Sequence, residues 1–206
     1  MPFISKIPHS DDSTADIYQI TVRGVNILLI LEEELTLIDT GYRGSTAQIV
    51  DCIRQLGRSP EEISLIILTH NHIDHVGGLV ELKKLTRARV TIHKTDIGER
   101  KSLPSARSED IDIRLNGGEV LNLLGGLEII HTPGHTPGSI SLFSPKNKLL
   151  IVGDALRKRR DNLHLPFRTA NSDLRQAIDS ISKMSRLDFD TLCFGHGLPL
   201  TGDVRD

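Results

Sequence analysis

The sequence predicts an α/β fold in which two β-sheets carry helices on their outer faces. Three observations lead to this prediction. Short runs that are apolar or alternate in polarity, typical of strands, recur along the chain. Segments with helical periodicity separate some of these runs. Their order is strands and helices, then strands, then a helix and a strand, which two sheets covered by helices would accommodate. The 206 residues suit a single domain, 1–206.

The first half of the chain alternates predicted strands with predicted helices. Apolar alternation or continuous apolar character identifies the strands, and a period near 3.6 residues identifies the helices. The predicted strands are 17–22, 25–31, 35–39, 63–68 and 90–93. The predicted helices are 44–56, which Gly57 closes, 77–85 and 95–102.

The second half begins with a polar, irregular stretch over 103–118. The strands predicted after it are 119–124, 127–131, 139–143, 148–152 and 190–194. A last helix precedes the final strand, and Asn171 or Ser172 is expected to cap it. Its apolar face is predicted to comprise Leu174, Ala177, Ile178 and Ile181.

Composition and charge exclude several classes of partner. Aromatic residues make up 3% of the chain and Trp is absent, which argues against a surface that stacks single-stranded bases. Lys and Arg number 25 against 27 Asp and Glu, so the chain lacks the basic excess that duplex DNA attracts. The apolar run Val25–Leu31 is too short to span a bilayer. The N-terminus does not resemble a secretory signal, so we expect a cytoplasmic protein. With nucleic acid and membrane disfavoured as partners, we expect a small-molecule substrate.

The two cysteines are too few for a disulfide framework. Cys52 lies within a helical apolar pattern and Cys193 within an apolar run, so both are expected to be buried thiols that act as small hydrophobes. The nine histidines are more unusual, and their positions carry the functional argument.

Residues 69–78 read THNHIDHVGG and follow a predicted buried strand. His70 and His72 fall on the same side of an extended segment, because side chains alternate along such a backbone. Asp74 and His75 follow where the chain turns into a helix. Imidazole and carboxylate groups are the ligands that zinc and similar divalent metals favour. Four such side chains within six residues therefore indicate a metal site.

Three further candidates follow later predicted strands: His135 in HTPGHTPGS, Asp154 in VGDAL and His196 in FGHG. Each is preceded by a glycine, which allows the sharp turn and the close approach that a ligand needs. Any one of them alone is more typical of a turn or a satisfied core residue. The recurrence of this setting indicates that these side chains converge on one edge of the structure.

These motifs resemble those of the metallo-β-lactamase fold superfamily. THNHIDHVGG matches its HxHxDH signature, and the segments IDTG, PGHTPGS, GDA and GHG match its other motifs in order, at 38–41, 133–139, 153–155 and 195–197. The resemblance covers the chain from about residue 17 onward. It implies a four-layer αβ/βα sandwich, two β-sheets packed face to face with helices outside.

The resemblance also implies two adjacent divalent metal ions and a role for each ligand. The ions are expected to be Zn²⁺, although Fe, Mn or Co would suit the same ligands. Asp39 would orient a ligand histidine without binding metal itself. Asp74 and Asp154 would take part in catalysis, in which a metal-bridging hydroxide attacks the substrate. The implied sets are His70, His72 and His135 for the first ion, Asp74, His75 and His196 for the second, and Asp154 as the bridge.

Departures from known branches of the family narrow the expected substrate. Class B β-lactamases typically lack the bridging aspartate, which Asp154 supplies here. Glyoxalase II enzymes add a C-terminal helical domain, and both they and the persulfide dioxygenases usually follow GD with a Gly-Cys-Gly-Arg-like segment instead of Ala155-Leu156-Arg157. Acyl-homoserine lactonases share the full ligand set but commonly add a tyrosine near the site. These comparisons favour hydrolysis of a small ester, lactone or thioester.

Three alternatives stay open at the level of sequence. They are a persulfide dioxygenase with a single iron, a β-lactamase-like amide hydrolase, and a binding protein that has lost catalysis. Four consecutive cations, Arg157 to Arg160, follow the Asp154 turn. They suit either a solvated surface loop or a contact with an anionic substrate. Arg157 and His164 are the candidates for that contact.

Overall fold

The computed structural model describes residues 3–9, 15–98, 105–159, 162–166 and 171–202. Within them the chain divides into two compact units. The first comprises the described residues 3–7 and 15–115, and the second comprises 8–9 and 116–202. Each unit is built around one large sheet. None of the helices among the described residues has the length and apolar character needed to cross a bilayer.

The first unit contains a seven-stranded sheet whose strand order follows the sequence. The strands are β1 (Phe3–Lys6), β2 (Asp16–Val22), β3 (Val25–Leu31), β4 (Leu35–Ile38), β5 (Ile63–Ile67), β6 (Arg89–His93) and β7 (Ile113–Leu115). Pairing is antiparallel from β1 to β4 and parallel from β4 to β7. Because parallel strands end at the same edge of a sheet, the residues that follow β4 and β5 come close together.

Three helices lie between the parallel strands of this unit. α1 (Thr46–Gln55) connects β4 to β5, and α2 (Ile73–Val76) and α3 (Leu79–Thr86) connect β5 to β6. α1 buries Ile49, Cys52 and Ile53, as the apolar periodicity of its sequence predicts. These side chains join those of the strands in one hydrophobic core.

The second unit contains a six-stranded sheet in the order β15-β14-β11-β10-β9-β8. β11 and β14 run parallel, and the other neighbouring strands run antiparallel. Two further strands, β12 and β13, form a separate antiparallel ribbon. The strands are β8 (Val120–Leu121), β9 (Leu127–His131), β10 (Ile140–Ser144), β11 (Leu149–Ile151), β12 (Arg157–Arg159), β13 (Asn162–His164), β14 (Thr191–Cys193) and β15 (Leu200–Thr201).

The last helix, α4 (Leu174–Met184), differs from its prediction in two ways. Its cap is Asp173, whose carboxylate accepts a 3.0 Å hydrogen bond from the backbone N–H of Gln176, so the cap predicted at 171 or 172 is wrong. The buried face is also rotated: Ala177 is buried, whereas Ile178 is 53% exposed. The other residues that α4 buries are Ser180 and Met184.

All ten predicted strands are present, although 119–124 shortens to the two residues of β8. The predicted helix over 95–102 is a single 3₁₀ turn at Lys94–Asp96, and its residues 99–102 lie outside the described part. The strands that were not predicted are β1, β7, β12, β13 and β15. All five are two to four residues long, which is too short for alternation to identify them.

Candidate metal centre

Four of the predicted metal ligands lie in the first unit, on the segment that leaves β5. The backbone N–H of Leu68 still bonds the carbonyl of Thr91 on β6, at 2.9 Å, so the chain remains extended as it leaves the sheet. His72 is extended as well and serves as the N-cap residue of α2. Asp74 and His75 then lie in the first turn of that short helix. The change from strand to helix therefore distributes the four side chains as the sequence predicts.

The side chains of these four residues converge within the first unit. The ring centroids of His70 and His72 lie 4.7 Å apart, and those of His70 and His75 lie 4.1 Å apart. Asp74 Oδ2 lies 3.6 Å from His75 Nε2, so its carboxylate faces the same point as that nitrogen. His70 and His75 are buried, while Asp74 keeps 18% of its side chain exposed. The cluster therefore contains two buried imidazole rings and one carboxylate that solvent can reach.

Asp39 follows β4 at the same sheet edge and hydrogen-bonds two residues of the ligand segment, which is residues 69–75. Its Oδ1 accepts the backbone N–H of Thr69 at 2.8 Å, and its Oδ2 accepts the Thr69 hydroxyl at 2.8 Å. The same Oδ2 lies 2.7 Å from Nδ1 of His75. A carboxylate can only accept, so His75 carries its proton on Nδ1 and presents Nε2 toward Asp74. Asp39 takes this position with φ of 64°, in the left-handed region.

The residue after Asp39 holds the backbone of α2. The N–H and hydroxyl groups of Thr40 both donate to the carbonyl of His75, at 2.7 and 2.8 Å. The following glycines make this approach possible. A Cβ on Gly77 would lie 2.4 Å from the Arg43 nitrogen, and one on Gly78 would lie 2.4 Å from the Thr40 oxygen. His75 is therefore held through its ring by Asp39 and through its carbonyl by Thr40.

Asn71 holds the other side of the ligand segment, although the sequence did not single it out. Its backbone N–H donates to Asp96 Oδ2 at 2.9 Å, and its side-chain amide donates to the Asp96 carbonyl at 2.7 Å. Its side-chain oxygen accepts the N–H of Ala106 at 2.9 Å. The bonds place its amide opposite the side on which the flanking histidines meet, in agreement with strand alternation. No periodicity or motif signals this role, because the partners are 25 and 35 residues away.

The other three predicted ligands lie in the second unit, where two parallel strands bring Asp154 and His196 together. Ile151 of β11 pairs with Cys193 of β14, and each ligand follows its strand by three residues. The ladder continues through Gly195, whose N–H bonds the carbonyl of Gly153 at 2.8 Å. Asp154 Oδ2 consequently lies 3.3 Å from His196 Nε2.

His135 reaches the same carboxylate oxygen of Asp154, with its Nε2 at 3.6 Å. The turn that carries it packs on the start of α4. The backbone N–H of Asp173 donates to the Gly134 carbonyl at 2.9 Å, and that of Ser172 donates to the His135 carbonyl at 3.1 Å. Gly134 adopts φ of 136°, and a Cβ there would lie 2.3 Å from the Ala177 nitrogen. Only glycine fits between the turn and the helix.

The remaining sequence candidates lie on the ribbon that follows the Asp154 turn. Arg157 begins β12 and pairs in register with His164 of β13. Directly opposite residues of an antiparallel pair share a face, so these two side chains are neighbours. Arg157 is half-buried and His164 is exposed. Arg160 lies outside the described residues.

Two histidines outside the predicted ligand set, His93 and His131, have local partners. Nδ1 of His93 lies 2.8 Å from the hydroxyl of Thr95, and Nε2 of His131 lies 2.9 Å from the carbonyl of Pro137. Both stabilise turns at strand ends.

Known proteins resemble this chain over most of its length. The family model described as the metallo-beta-lactamase superfamily matches residues 20–196, a range that contains all seven predicted ligands. Probable metallo-hydrolase YflN of Bacillus subtilis is 29% identical, and the alignment covers 93% of this chain and 87% of YflN. Hydroxyacylglutathione hydrolase GloC of Haemophilus influenzae is 31% identical over 68% of this chain and 71% of that protein. A hydroxyacylglutathione hydrolase of Pseudomonas aeruginosa is 43% identical, but the alignment spans 33% of its length.

Solved structures agree at the level of the fold. BJP-1, a subclass B3 metallo-beta-lactamase of Bradyrhizobium japonicum, superposes with a TM-score of 0.73 at 24% identity. The superposition covers 95% of this chain and 78% of BJP-1. At that identity the likeness concerns the fold alone, and it confirms the predicted fold class.

Proposed function

The chain belongs to the metallo-β-lactamase superfamily, and on that premise we propose that it is a dinuclear metal-dependent hydrolase of a small ester, lactone or thioester. The observation that carries the proposal is the position of Asp154. One carboxylate oxygen faces Nε2 of His135 at 3.6 Å and Nε2 of His196 at 3.3 Å. The family pattern assigns these two histidines to different metal ions, so an oxygen between them suits a bridging ligand.

We assign the metal ligands as the family pattern implies. The donor chemistry fits divalent ions, because imidazole nitrogens and carboxylate oxygens are common zinc ligands and Asp39 leaves Nε2 of His75 to coordinate. Two bound ions would polarise the substrate carbonyl and lower the pKa of a coordinated water to about 7. The proposed sets are His70, His72 and His135 for one ion, Asp74, His75 and His196 for the other, and Asp154 for both.

The reaction also requires protons to move, and Asp74 is the residue we assign to that step. Its partly exposed carboxylate lies beside His75, at the point where the ligand segment turns into α2. From there it can accept a hydrogen bond from the attacking water and pass the proton to the leaving oxygen or sulfur. Ester, lactone and thioester substrates all release such a leaving group, whereas an amide leaves a more basic nitrogen.

The β12–β13 ribbon suits recognition of a carboxylate or phosphate on the substrate. Arg157 begins only three residues after Asp154, and its in-register neighbour His164 adds a second donor on the same face. Lys158 occupies the opposite face and pairs with Leu163, so it serves as a matched control. Arg157→Gln should raise KM for anionic substrates about tenfold or more, at about 1.4 kcal/mol per tenfold, and spare neutral ones. Equal kinetics in Arg157→Gln and Lys158→Gln would assign the ribbon no role in recognition.

A substrate panel on metal-replete protein tests the proposed reaction. Lactones, thioesters, phosphodiesters, β-lactams and persulfides should be compared, alongside the metal content of each preparation. We expect about two divalent ions per chain and turnover of a lactone, ester or thioester. Asp154→Ala should lose both metal and activity. A plateau at one iron with oxygen consumption on persulfides would favour the dioxygenase instead, and selective β-lactam turnover would favour the amide hydrolase.

A further inference from the structure

We propose that Thr69 is a positioning residue that relays the Asp39 carboxylate to His70. The inference rests on the proposed metal site, but its geometry lies wholly within the first unit. The Thr69 hydroxyl oxygen is 2.8 Å from Asp39 Oδ2 and 3.0 Å from His70 Nδ1. Since Asp39 Oδ2 also bonds Nδ1 of His75, one carboxylate orients two histidines, one directly and one through a hydroxyl.

The direction of each hydrogen bond follows from counting protons. The Asp39 carboxylate has none to give, so the Thr69 hydroxyl donates its single proton to Asp39. The same hydroxyl oxygen then has only lone pairs to offer His70, whose Nδ1 must carry the proton. His70 and His75 consequently share one tautomer, and each presents Nε2 as a lone-pair donor toward a metal.

The identity of the residue at position 69 matters because its hydroxyl must stay between Asp39 Oδ2 and His70 Nδ1. Thr69 is 1% exposed, and its backbone N–H bonds Asp39 Oδ1 at 2.8 Å, so Asp39 grips it at two points. A β-branched side chain has few χ1 rotamers, which keeps the hydroxyl between its two partners. Serine would retain the hydroxyl with more freedom. Valine would retain the shape, but it would leave His70 Nδ1 without the threonine acceptor.

Substitutions of Thr69 and of Asp39 should affect the binding of the two proposed ions differently. The Thr69 hydroxyl bonds Nδ1 of His70, which the family pattern assigns to the first ion. Asp39 reaches His75 as well, which that pattern assigns to the second. Loss of the hydroxyl should therefore weaken one ion, and loss of the carboxylate should weaken both.

Zinc titration of the protein against a competing chelator tests this difference. Removal of a group that orients a ligand histidine typically costs 10–100-fold in metal affinity. Thr69→Val should weaken one of the two Zn²⁺ ions by that factor, and Thr69→Ser should recover to within a few-fold. Thr91→Val is the matched control: its side chain is also buried in the first unit, and its hydroxyl has no hydrogen-bond partner among the described residues. It should titrate as the unmodified protein does.

The tautomer of His70 can be measured in the unmodified protein without metal. This test therefore does not depend on whether a variant folds. Nitrogen-15 NMR of the metal-free, unmodified protein should show the His70 proton on Nδ1. A proton on Nε2 of His70 would overturn the relay, as would a Thr69→Val titration in which both ions weaken equally or neither does. Failure of the proposed function gives a different result: the unmodified protein would bind fewer than two ions while the His70 tautomer remained as proposed.

Discussion

Replacement of Gly134 by alanine should misplace His135 by forcing the turn away from α4. A Cβ at this position would lie 2.3, 2.4 and 2.6 Å from the nitrogen, Cα and Cβ of Ala177. Non-bonded carbon atoms are comfortable at about 3.5–4.0 Å, so the turn and the helix must separate by roughly 1 Å. The atoms in the way are the backbone and the Cβ of Ala177, which cannot rotate aside as a long side chain can.

Two contributions set the size of the effect. Overpacking of this kind typically costs about 1–3 kcal/mol. The positive φ of 136° is unfavourable for alanine and adds about 1–3 kcal/mol. We therefore expect a loss of about 2–6 kcal/mol, a large share of the 5–15 kcal/mol by which domains are usually stable. The hydrogen bonds that hold the turn to Ser172 and Asp173 would lengthen as well.

Urea unfolding and zinc content, measured on the same preparations, separate these effects. Gly118→Ala is the matched control, because Gly118 has φ of 96° and a Cβ there would meet nothing within 4 Å. It should lose only the conformational part, about 1–3 kcal/mol, and keep its metal. Gly134→Ala should be less stable than this control by about 1–3 kcal/mol and deficient in zinc. Equal stability and full zinc content in both variants would refute the packing argument.

Three other outcomes are expected. Asp39→Asn should lower zinc affinity at both proposed ions by about 10–100-fold while the far-ultraviolet circular dichroism stays native. Burial raises the pKa of the Cys193 thiol to about 12, so it should react with a thiol reagent at pH 8 only after unfolding. Burial acts to raise the pKa of Asp112, but hydrogen bonds from Lys83 and Val90 outweigh it and lower that pKa. Stability from this carboxylate should thus be present near neutrality and decline as the pH falls below about 4, and Asp112→Asn should flatten that decline in acid unfolding curves.

Much of the fold could be predicted because long strands display their burial in the sequence. Val25–Leu31 is buried along almost its whole length and reads as an apolar run that only Asn26 interrupts. β12 could not be predicted in this way, since its three residues are all cationic and, within the described residues, it pairs with β13 alone. The face of α4 was misjudged for a related reason: Ser180 is buried because its hydroxyl bonds the Pro133 carbonyl at 2.8 Å, while the more apolar Ile178 stays exposed.

The residues of the site likewise differ in how well the sequence predicts them. The ligand candidates could be predicted because their residue types are rare and their spacing is dense, as in the four at 70–75. Thr69 and Asn71 carry no such signal. Both are common polar residues whose importance depends on partners 25 to 35 positions away, which come near only when the chain folds. Side chains that orient ligands are therefore harder to find from one sequence than the ligands themselves.

The left-handed backbone of Asp39 has a consequence for how this position can evolve. Aspartate, asparagine and glycine adopt such a conformation more readily than other residues do. Glutamate would preserve the charge, but its longer chain would move the carboxylate and its backbone would be strained at φ of 64°. Asparagine would preserve the conformation and lose the charge. Asparagine, which loses the charge, is therefore better tolerated by the fold at position 39 than glutamate, which keeps it. Neither substitution retains both the backbone conformation and the carboxylate.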